Sequence, residues 1–96
     1  MANAYSVVTY TDISDPDAFA AYAVIAGPAI EAEGGRFIAR GEPAEIMEGD
    51  NRQRVVVIEF DSVEAAKAAY LSDGYQAAMQ ALGDGAKRDY RIIPGC

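Results

Sequence analysis

Histidine and tryptophan are absent from this chain of 96 residues, and cysteine occurs once, as the final residue Cys96. Without imidazole the chain has no Ser-His-Asp or Cys-His catalysis, no histidine-ligated haem and few routes to a zinc site. A single terminal thiol forms no intramolecular disulfide and is a poor place to hold a nucleophile. Carboxylates, Tyr, Arg and Lys remain for chemistry, and we expect neither a metal nor another cofactor.

Positive charge is also scarce, with eight Lys and Arg against fifteen Asp and Glu, a net charge of −7. Nucleic-acid binders present clustered basic residues, so we expect no nucleic-acid partner. No stretch approaches the roughly 20 apolar residues of a membrane span, and the first residues lack the basic flank and apolar run of a signal peptide. We therefore predict one cytoplasmic domain over residues 1–96, with no membrane partner.

Two helix-start signals organise what is present, Asp15-Pro16-Asp17 and Asp61-Ser62-Val63-Glu64. Each follows a run rich in β-branched residues and begins an alanine-rich stretch, so the order is strand, helix, strands, helix, strand. This pattern predicts an α+β domain of βαββαβ outline, with the helices on one face of the sheet. Because little else remains to cover the other face, we predict a homodimer.

Periodicity and turn residues supply the boundaries, and the three-to-four spacing of Phe19, Tyr22, Ala23, Ala26 and Ile30 predicts the buried face of the first helix. We predict strands over 4–11, 36–40, 54–60 and 90–93, helices over 16–33 and from 61 or 62 to about 72, and a short third helix over 75–82. A break at 41–43 is expected before the second strand resumes over 44–48.

The turn at residues 49–53 is expected to join a hairpin in which Glu48 lies opposite Arg54, so that Ile46 faces Val56 and Ala44 faces Ile58. One interpretation is an ion pair that fixes the register of the hairpin. The other makes Arg54 a clamp for a small carboxylate ligand, because its guanidinium presents a planar fork of donors.

Glu59 shares a strand face with Val55 and Val57, where a lone carboxylate would be costly to bury. Burial would raise its pKa toward that of a general base. Alternatively, Arg36 and Arg40 on the neighbouring strand would neutralise it in a structural ion pair. Three tyrosines, Tyr22, Tyr70 and Tyr75, are interpreted either as the wall of a pocket or as core residues.

The chain resembles a known family in a series of short motifs. These are Asp15-Pro16, Tyr22, Gly27-Pro28-Ala29-Ile30, Gly34-Gly35-Arg36-Phe37, Arg40-Gly41, Glu48-Gly49, Val57-Ile58-Glu59-Phe60, Ala65-Ala66, Tyr70 and Tyr75-Gln76. Together they are similar to the family known as domain of unknown function 1330. The resemblance implies a ferredoxin-like fold with an antiparallel sheet, paired with a second copy as a dimeric α+β barrel.

Members of that superfamily include cofactor-independent monooxygenases, isomerases and haem-dependent peroxidases, so the fold carries no reaction by itself. The resemblance implies polar site residues at Arg40, Glu48, Arg54 and Glu59, with Tyr22, Tyr70 and Tyr75 beside them. We predict that a cleft between the helices and the sheet binds a small, partly apolar anionic metabolite. Two alternatives are a monooxygenase or isomerase with Glu59 as the base and Arg40 or Arg54 stabilising negative charge, and a non-catalytic assembly module.

Overall fold

A computed structural model describes residues 3–96 as a four-stranded sheet with three helices. Its elements are β1 (Ala4–Ile13), α1 (Pro16–Ala32), β2 (Arg36–Gly41), β3 (Val55–Phe60), α2 (Val63–Leu71), α3 (Asp73–Leu82) and β4 (Ala86–Pro94). The strands lie in the order β2-β3-β1-β4, and every neighbouring pair is antiparallel. The predicted α+β, ferredoxin-like βαββαβ fold is confirmed, with α2 and α3 together in the place of the second helix.

The helices begin where short polar side chains can cap them. Asp15 accepts a hydrogen bond from the backbone N–H of Ala18 at 3.1 Å, and Pro16 stands in the first turn, where its missing N–H costs nothing. Ser62, rather than Asp61, caps α2 by accepting from Ala65 N at 3.0 Å. Gly34 supplies the positive φ, 89°, that follows α1. None of the helices in residues 3–96 is long and apolar enough to cross a membrane.

One face of the sheet forms the core. Side chains alternate across a strand, so the even-numbered residues of β1 and β3 point to the helices and are buried: Val8, Tyr10, Val56, Ile58 and Phe60. They pack with α-helical residues in one cluster that includes Tyr22, Ala26, Ile30, Ala66, Tyr75 and Leu82. The odd-numbered residues Val7, Val55 and Val57 lie on the outer face and are only partly buried.

The predicted hairpin after Gly41 is wrong. Residues 42–54 form no strand, and β2 itself pairs with β3, with Arg40 opposite Val56 and Phe37 near Ile58. Those two positions on β3 are therefore unavailable to Ile46 and Ala44. The irregularity expected at 41–43 instead falls between Phe37 and Ala39, where the register shifts by one residue.

Residues 42–54 are tied to the sheet near their end. Asn51 donates from its side-chain amide to the carbonyl oxygen of Tyr10 at 2.9 Å and accepts from the backbone N–H of Gln53 at 2.9 Å. The backbone N–H of Tyr10 donates to the carbonyl oxygen of Arg54 at 3.0 Å. These bonds extend the β1–β3 pairing by one position and hold Arg54 opposite Tyr10.

Candidate functional site

A cavity of about 60 Å³ lies between α1 and the helix-facing side of β1, β2 and β3. Helix α1 contributes a stripe at three- and four-residue spacing, which the sequence predicted as its buried face. The lining consists of Val8, Tyr10, Phe19, Tyr22, Ala23, Ala26, Gly27, Ile30, Phe37, Arg40, Arg54, Val56 and Ile58. Eleven of these thirteen residues are glycine or have an aliphatic or aromatic side chain, so the two arginines supply the only charges of the lining.

Arg40 and Arg54 reach this cavity because of the observed β2–β3 register. Arg40 is paired with Val56, and Arg54 precedes Val56 by two residues, so the two arginines lie diagonally across neighbouring strands on the same face. The Arg40 guanidinium carbon lies 4.9 Å from the centre of the Phe37 ring, and that of Arg54 lies 5.7 Å from the centre of the Phe19 ring. Aromatic faces stabilise both cations without neutralising them.

Arg54 has an unsatisfied donor. Its Nε is buried and has no hydrogen-bond partner among residues 3–96. Over the same residues, the ion pairs are those of Arg36, with Glu59 at 3.0 Å and with Asp61 at 3.1 Å, so neither Arg40 nor Arg54 is paired with a carboxylate. A buried polar group without a partner is costly, and an anionic ligand would relieve that cost.

A second polar group, which the sequence did not predict, lies behind the wall of the cavity around Arg88. Its Nη1 donates to the hydroxyl oxygens of Tyr10 at 3.1 Å and Tyr22 at 2.9 Å. Its Nη2 donates to the hydroxyl oxygen of Tyr75 at 2.9 Å and to the sulfur of Met79 at 3.0 Å. We call Arg88, Tyr10, Tyr22 and Tyr75 the Arg88 cluster.

Aromatic rings surround the guanidinium of Arg88. Its central carbon lies 4.9 Å from the ring centre of Tyr22, 5.3 Å from that of Tyr90 and 5.6 Å from that of Tyr10. Burial alone would lower the pKa of Arg88, but the neighbouring Tyr22 and Tyr75 raise it, so it remains a cation. Burial raises the pKa of Tyr10 to about 12 and that of Tyr90 to about 12, so both hydroxyls stay neutral at physiological pH.

The predicted tyrosines divide between two places. Tyr22 lines the cavity, and its hydroxyl lies 2.7 Å from that of Tyr75, which is fully buried behind it. Tyr70 lies further from the cavity on α2, with its ring centre 5.3 Å from that of Tyr75 and 4.9 Å from that of Tyr90. The interpretation of these residues as core holds for Tyr75, while Tyr22 belongs to both core and cavity.

Glu59 does not lie in the cavity. It is on the outer face of the sheet, opposite Tyr5 on β1 and Arg36 on β2. Its carboxylate accepts hydrogen bonds from Arg36 Nε at 3.0 Å, Asn3 Nδ2 at 2.9 Å and the Tyr5 hydroxyl at 3.3 Å. These bonds, that from Arg36 first, lower the pKa of Glu59 below its usual range.

Of the two interpretations of Glu59, the structural ion pair matches these contacts, and the expected rise in its pKa is wrong. Arg36 neutralises Glu59, whereas Arg40 points to the other face of the sheet. Glu48 is exposed within residues 42–54 and is not opposite Arg54, because the hairpin that would have paired them does not form. The cavity therefore brings together Arg40, Arg54 and Tyr22 from the predicted set.

The sequence carries a signal for Arg88 that was not used in predicting the site. On β4 the alternate residues Arg88, Tyr90 and Ile92 are partly buried while Lys87, Asp89 and Arg91 are exposed. An arginine in phase with Tyr90 and Ile92 indicates a cation on the core face.

In residues 3–96, no group of three or more His, Cys, Asp or Glu side chains is placed to hold a metal ion.

A family model, described as Domain of unknown function (DUF1330), matches residues 3–96. The chain belongs to this family. A search of curated proteins finds no match. The assignment agrees with the resemblance seen in the short motifs and carries no activity with it.

Solved structures share the fold at low sequence identity. A protein of unknown function from Rhodopseudomonas palustris is 23% identical, with a TM-score of 0.69 over 97% of this chain and 80% of the other. SnoaB, a cofactor-independent oxygenase from Streptomyces nogalater, is 14% identical, with a TM-score of 0.69 over 97% and 92%. A dimeric protein of unknown function and ferredoxin-like fold from Bacteroides fragilis is 15% identical, with a TM-score of 0.57 over 95% and 94%.

Proposed function

We propose that this protein binds a small, partly apolar carboxylate in the cavity between α1 and the sheet, with Arg54 and Arg40 as its cationic contacts. The observation that carries the proposal is Arg54, whose buried Nε has no partner within the described residues and whose guanidinium lies over Phe19. In a chain of net charge −7, two arginines without carboxylate partners beside one apolar cavity favour an anion supplied from outside.

The volume of the cavity limits the ligand. A buried water needs roughly 10–15 Å³ measured with a water-sized probe, so about 60 Å³ accommodates about four to six such groups. A carboxylate bound at the arginines would therefore carry a short apolar chain of about four carbons into the cavity. Valerate, a straight-chain fatty acid of this size, is a suitable probe.

Replacement of Arg54 by glutamine is expected to weaken valerate binding by about 10- to 100-fold, because a hydrogen bond to a charged group contributes roughly 1.5–3 kcal/mol. The measurement is an NMR titration of backbone amide shifts, which reports folding and binding on the same sample. Arg52→Gln is the matched control, since Arg52 is exposed on the same loop and does not line the cavity. The proposal fails if wild-type protein does not bind valerate, or if the two variants bind it equally.

Added volume at the helix side of the cavity wall is expected to weaken valerate binding without removing a charge. Ala23 lines the cavity from α1, and leucine has a helix propensity close to that of alanine, so Ala23→Leu adds volume with little cost to the helix. Ala21→Leu, on an exposed α1 position outside the cavity, serves as the control. Equal valerate affinity in both leucine variants would place the ligand elsewhere.

A homodimer is part of the same proposal. The outer face of the sheet presents Val7, Val55 and Val57, flanked by the Glu59–Arg36 ion pair, and the helices all contribute to the core on the opposite face. A second copy of the chain would cover this apolar strip and leave the ion pair toward its rim. The Bacteroides fragilis protein, which has the same fold, is described as dimeric.

An enzyme of the oxygenase or isomerase class, with Glu59 as the base, has less support. SnoaB shares the fold, but at 14% identity the likeness extends to the fold alone. Glu59 is ionised, paired with Arg36 and outside the cavity of its own subunit. A non-catalytic assembly module would form the dimer but bind no ligand. A dimeric protein that does not bind valerate would support this alternative.

A further inference from the structure

Arg54 lies one residue outside the regular sheet. Strand β3 begins at Val55, which pairs with Thr9, and β1 continues past that point to Ile13, where it is paired with β4. The arginine on which the proposed function depends therefore stands where the β1–β3 ladder ends. Its position beside the cavity depends on what continues that ladder.

The side chain of Asn51 continues the ladder. In a hydrogen-bonded antiparallel pair, the two opposite residues exchange two backbone hydrogen bonds. Here the N–H of Tyr10 donates to the carbonyl oxygen of Arg54 at 3.0 Å, and the carbonyl oxygen of Tyr10 accepts from Nδ2 of Asn51 at 2.9 Å. The side-chain amide of Asn51 thus takes the place that the backbone N–H of Arg54 has in a regular ladder.

Two partners fix the orientation of the Asn51 amide. Its Oδ1 accepts from the backbone N–H of Gln53 at 2.9 Å, and its Nδ2, which can only donate, bonds to Tyr10. A bond from an asparagine oxygen to the N–H two residues further along is an Asx turn, which sets the direction of the chain. One side chain therefore shapes residues 51–53 and ties them to β1 immediately before Arg54.

The guanidinium of Arg54 has few contacts of its own to fix it. Its central carbon lies 5.7 Å from the ring centre of Phe19, and its buried Nε has no hydrogen-bond partner among residues 3–96. Arginine has a long side chain with many rotamers, and a ligand that immobilises such a side chain loses affinity through the entropy cost. A backbone that is already fixed at Arg54 reduces the number of arrangements that the ligand must exclude.

We propose that Asn51 is a positioning residue of the carboxylate site, which holds Arg54 beside the cavity through its hydrogen bond to the carbonyl oxygen of Tyr10. This inference rests on the proposed function and adds to it a residue that is exposed and does not line the cavity. Removal of the Asn51 side chain leaves Arg54 in the chain but releases the segment that leads into it. Ligand affinity then falls although no group that contacts the ligand has been removed.

The first test measures valerate affinity by NMR titration in Asn51→Ala, with and without Arg54. We expect Asn51→Ala to bind valerate about 3- to 10-fold more weakly than wild type, the loss expected for one neutral hydrogen bond. In the Arg54→Gln background the same change is expected to alter the affinity by less than about twofold, because Asn51 acts through Arg54. A purely structural role would weaken binding equally in both backgrounds.

Two further variants separate the bonds of Asn51. Asn51→Ser keeps an oxygen that can accept from the N–H of Gln53 but is too short to reach Tyr10, so we expect it to match Asn51→Ala. Gln53→Ala is the matched control, because it removes the neighbouring side-chain amide and keeps the backbone N–H that bonds to Asn51. We expect this control to bind valerate as wild type does, and the amide spectrum of each variant reports its folding.

The Nε–H of Arg54 reports the same role without a ligand. Its NMR signal is identified by its absence in Arg54→Gln, and because Nε is buried we expect its hydrogen to exchange slowly with solvent. Exchange is expected to become about tenfold faster in Asn51→Ala, where the segment before Arg54 opens more often, and to stay unchanged in Gln53→Ala.

Equal valerate affinity in Asn51→Ala and wild type, or a loss of the same size with and without Arg54, overturns the positioning role. In either case Arg54→Gln would still weaken valerate binding, so the proposed function would stand. If wild-type protein does not bind valerate, the proposed function fails. The exchange of the Arg54 Nε–H then decides the role of Asn51, because faster exchange in Asn51→Ala supports it and unchanged exchange overturns it.

Discussion

A lysine in place of Val57 is expected to dissociate the proposed dimer into monomers. Val57 lies near the middle of the outer sheet face, directly opposite Val7 on β1. In the proposed dimer this position would be buried against the second copy, where an unpaired ammonium costs several kcal/mol. The dissociation constant of the dimer should therefore rise by at least about 100-fold, enough to separate the subunits at micromolar concentration.

The fold of the subunit should survive this change. Val57 is partly exposed in a single chain, and its neighbours Val56 and Ile58 carry the core contacts on the other face of β3. Sedimentation equilibrium gives the subunit number, and far-ultraviolet circular dichroism reports the secondary structure of the same sample. A wild-type monomer, or a Val57→Lys variant that remains a dimer, would contradict an interface on this face.

Val24→Lys provides the matched control for the added charge. Val24 is 76% exposed on α1, on the opposite side of the sheet from Val57. Its replacement introduces the same side chain and the same charge at a surface that the proposed dimer leaves open. We expect this variant to remain dimeric, so that loss of the dimer in Val57→Lys reports the position of the lysine and not the change in net charge.

Alanine at Gly35 is expected to destabilise the protein by about 3 kcal/mol or more, at the upper end of the range for overpacked cores. A Cβ at Gly35 would stand 2.5 Å from Cγ2 of Ile30 and 2.9 Å from Cζ of Phe60. Ile30 is 2% exposed and Phe60 is fully buried, so making room for the new Cβ would disturb side chains packed in the core. Either these side chains or the backbone after α1 would have to shift.

Thermal unfolding at a fixed protein concentration measures this effect. A loss of 1 kcal/mol lowers the Tm of a domain of this size by about 4–8 °C, so we expect a fall of more than about 12 °C. Gly34→Ala is the matched control, since a Cβ at Gly34 meets nothing within 4 Å and the cost comes only from its positive φ of 89°. A left-handed alanine costs about 1–2 kcal/mol. If Gly35→Ala unfolds at the same temperature as Gly34→Ala or above it, the close packing at Gly35 is not the limiting contact.

Local features made most of the fold predictable. Asp15 and Pro16 begin α1 for reasons contained within four residues, and Gly34 ends it through its own φ. The period of three to four residues along α1 identified the face that packs on the sheet. The exact cap of α2 was less certain, because Asp61 and Ser62 are both good caps and only the geometry selects Ser62.

The site was predicted less completely, because it depends on which residues face one another across strands. Arg40, Arg54 and Tyr22 were identified as candidates, but the hairpin assumed for Glu48 placed Arg54 in an ion pair that does not form. A one-residue register change moves a side chain to the other face of a sheet, so the roles of Arg40 and Glu59 could not be separated before β2 was paired with β3.

The sequence by itself determined the order of strands and helices, the buried face of α1 and the kinds of side chain available for chemistry, because caps, turns and periodicity act over a few residues. The tertiary structure decided that Arg54 meets an apolar cavity, that Glu59 lies with Arg36 on the opposite face, and that Arg88 reaches Tyr10, Tyr22 and Tyr75. These contacts join residues up to 78 positions apart, and only the register of the sheet and the packing of α1 and α3 bring them together.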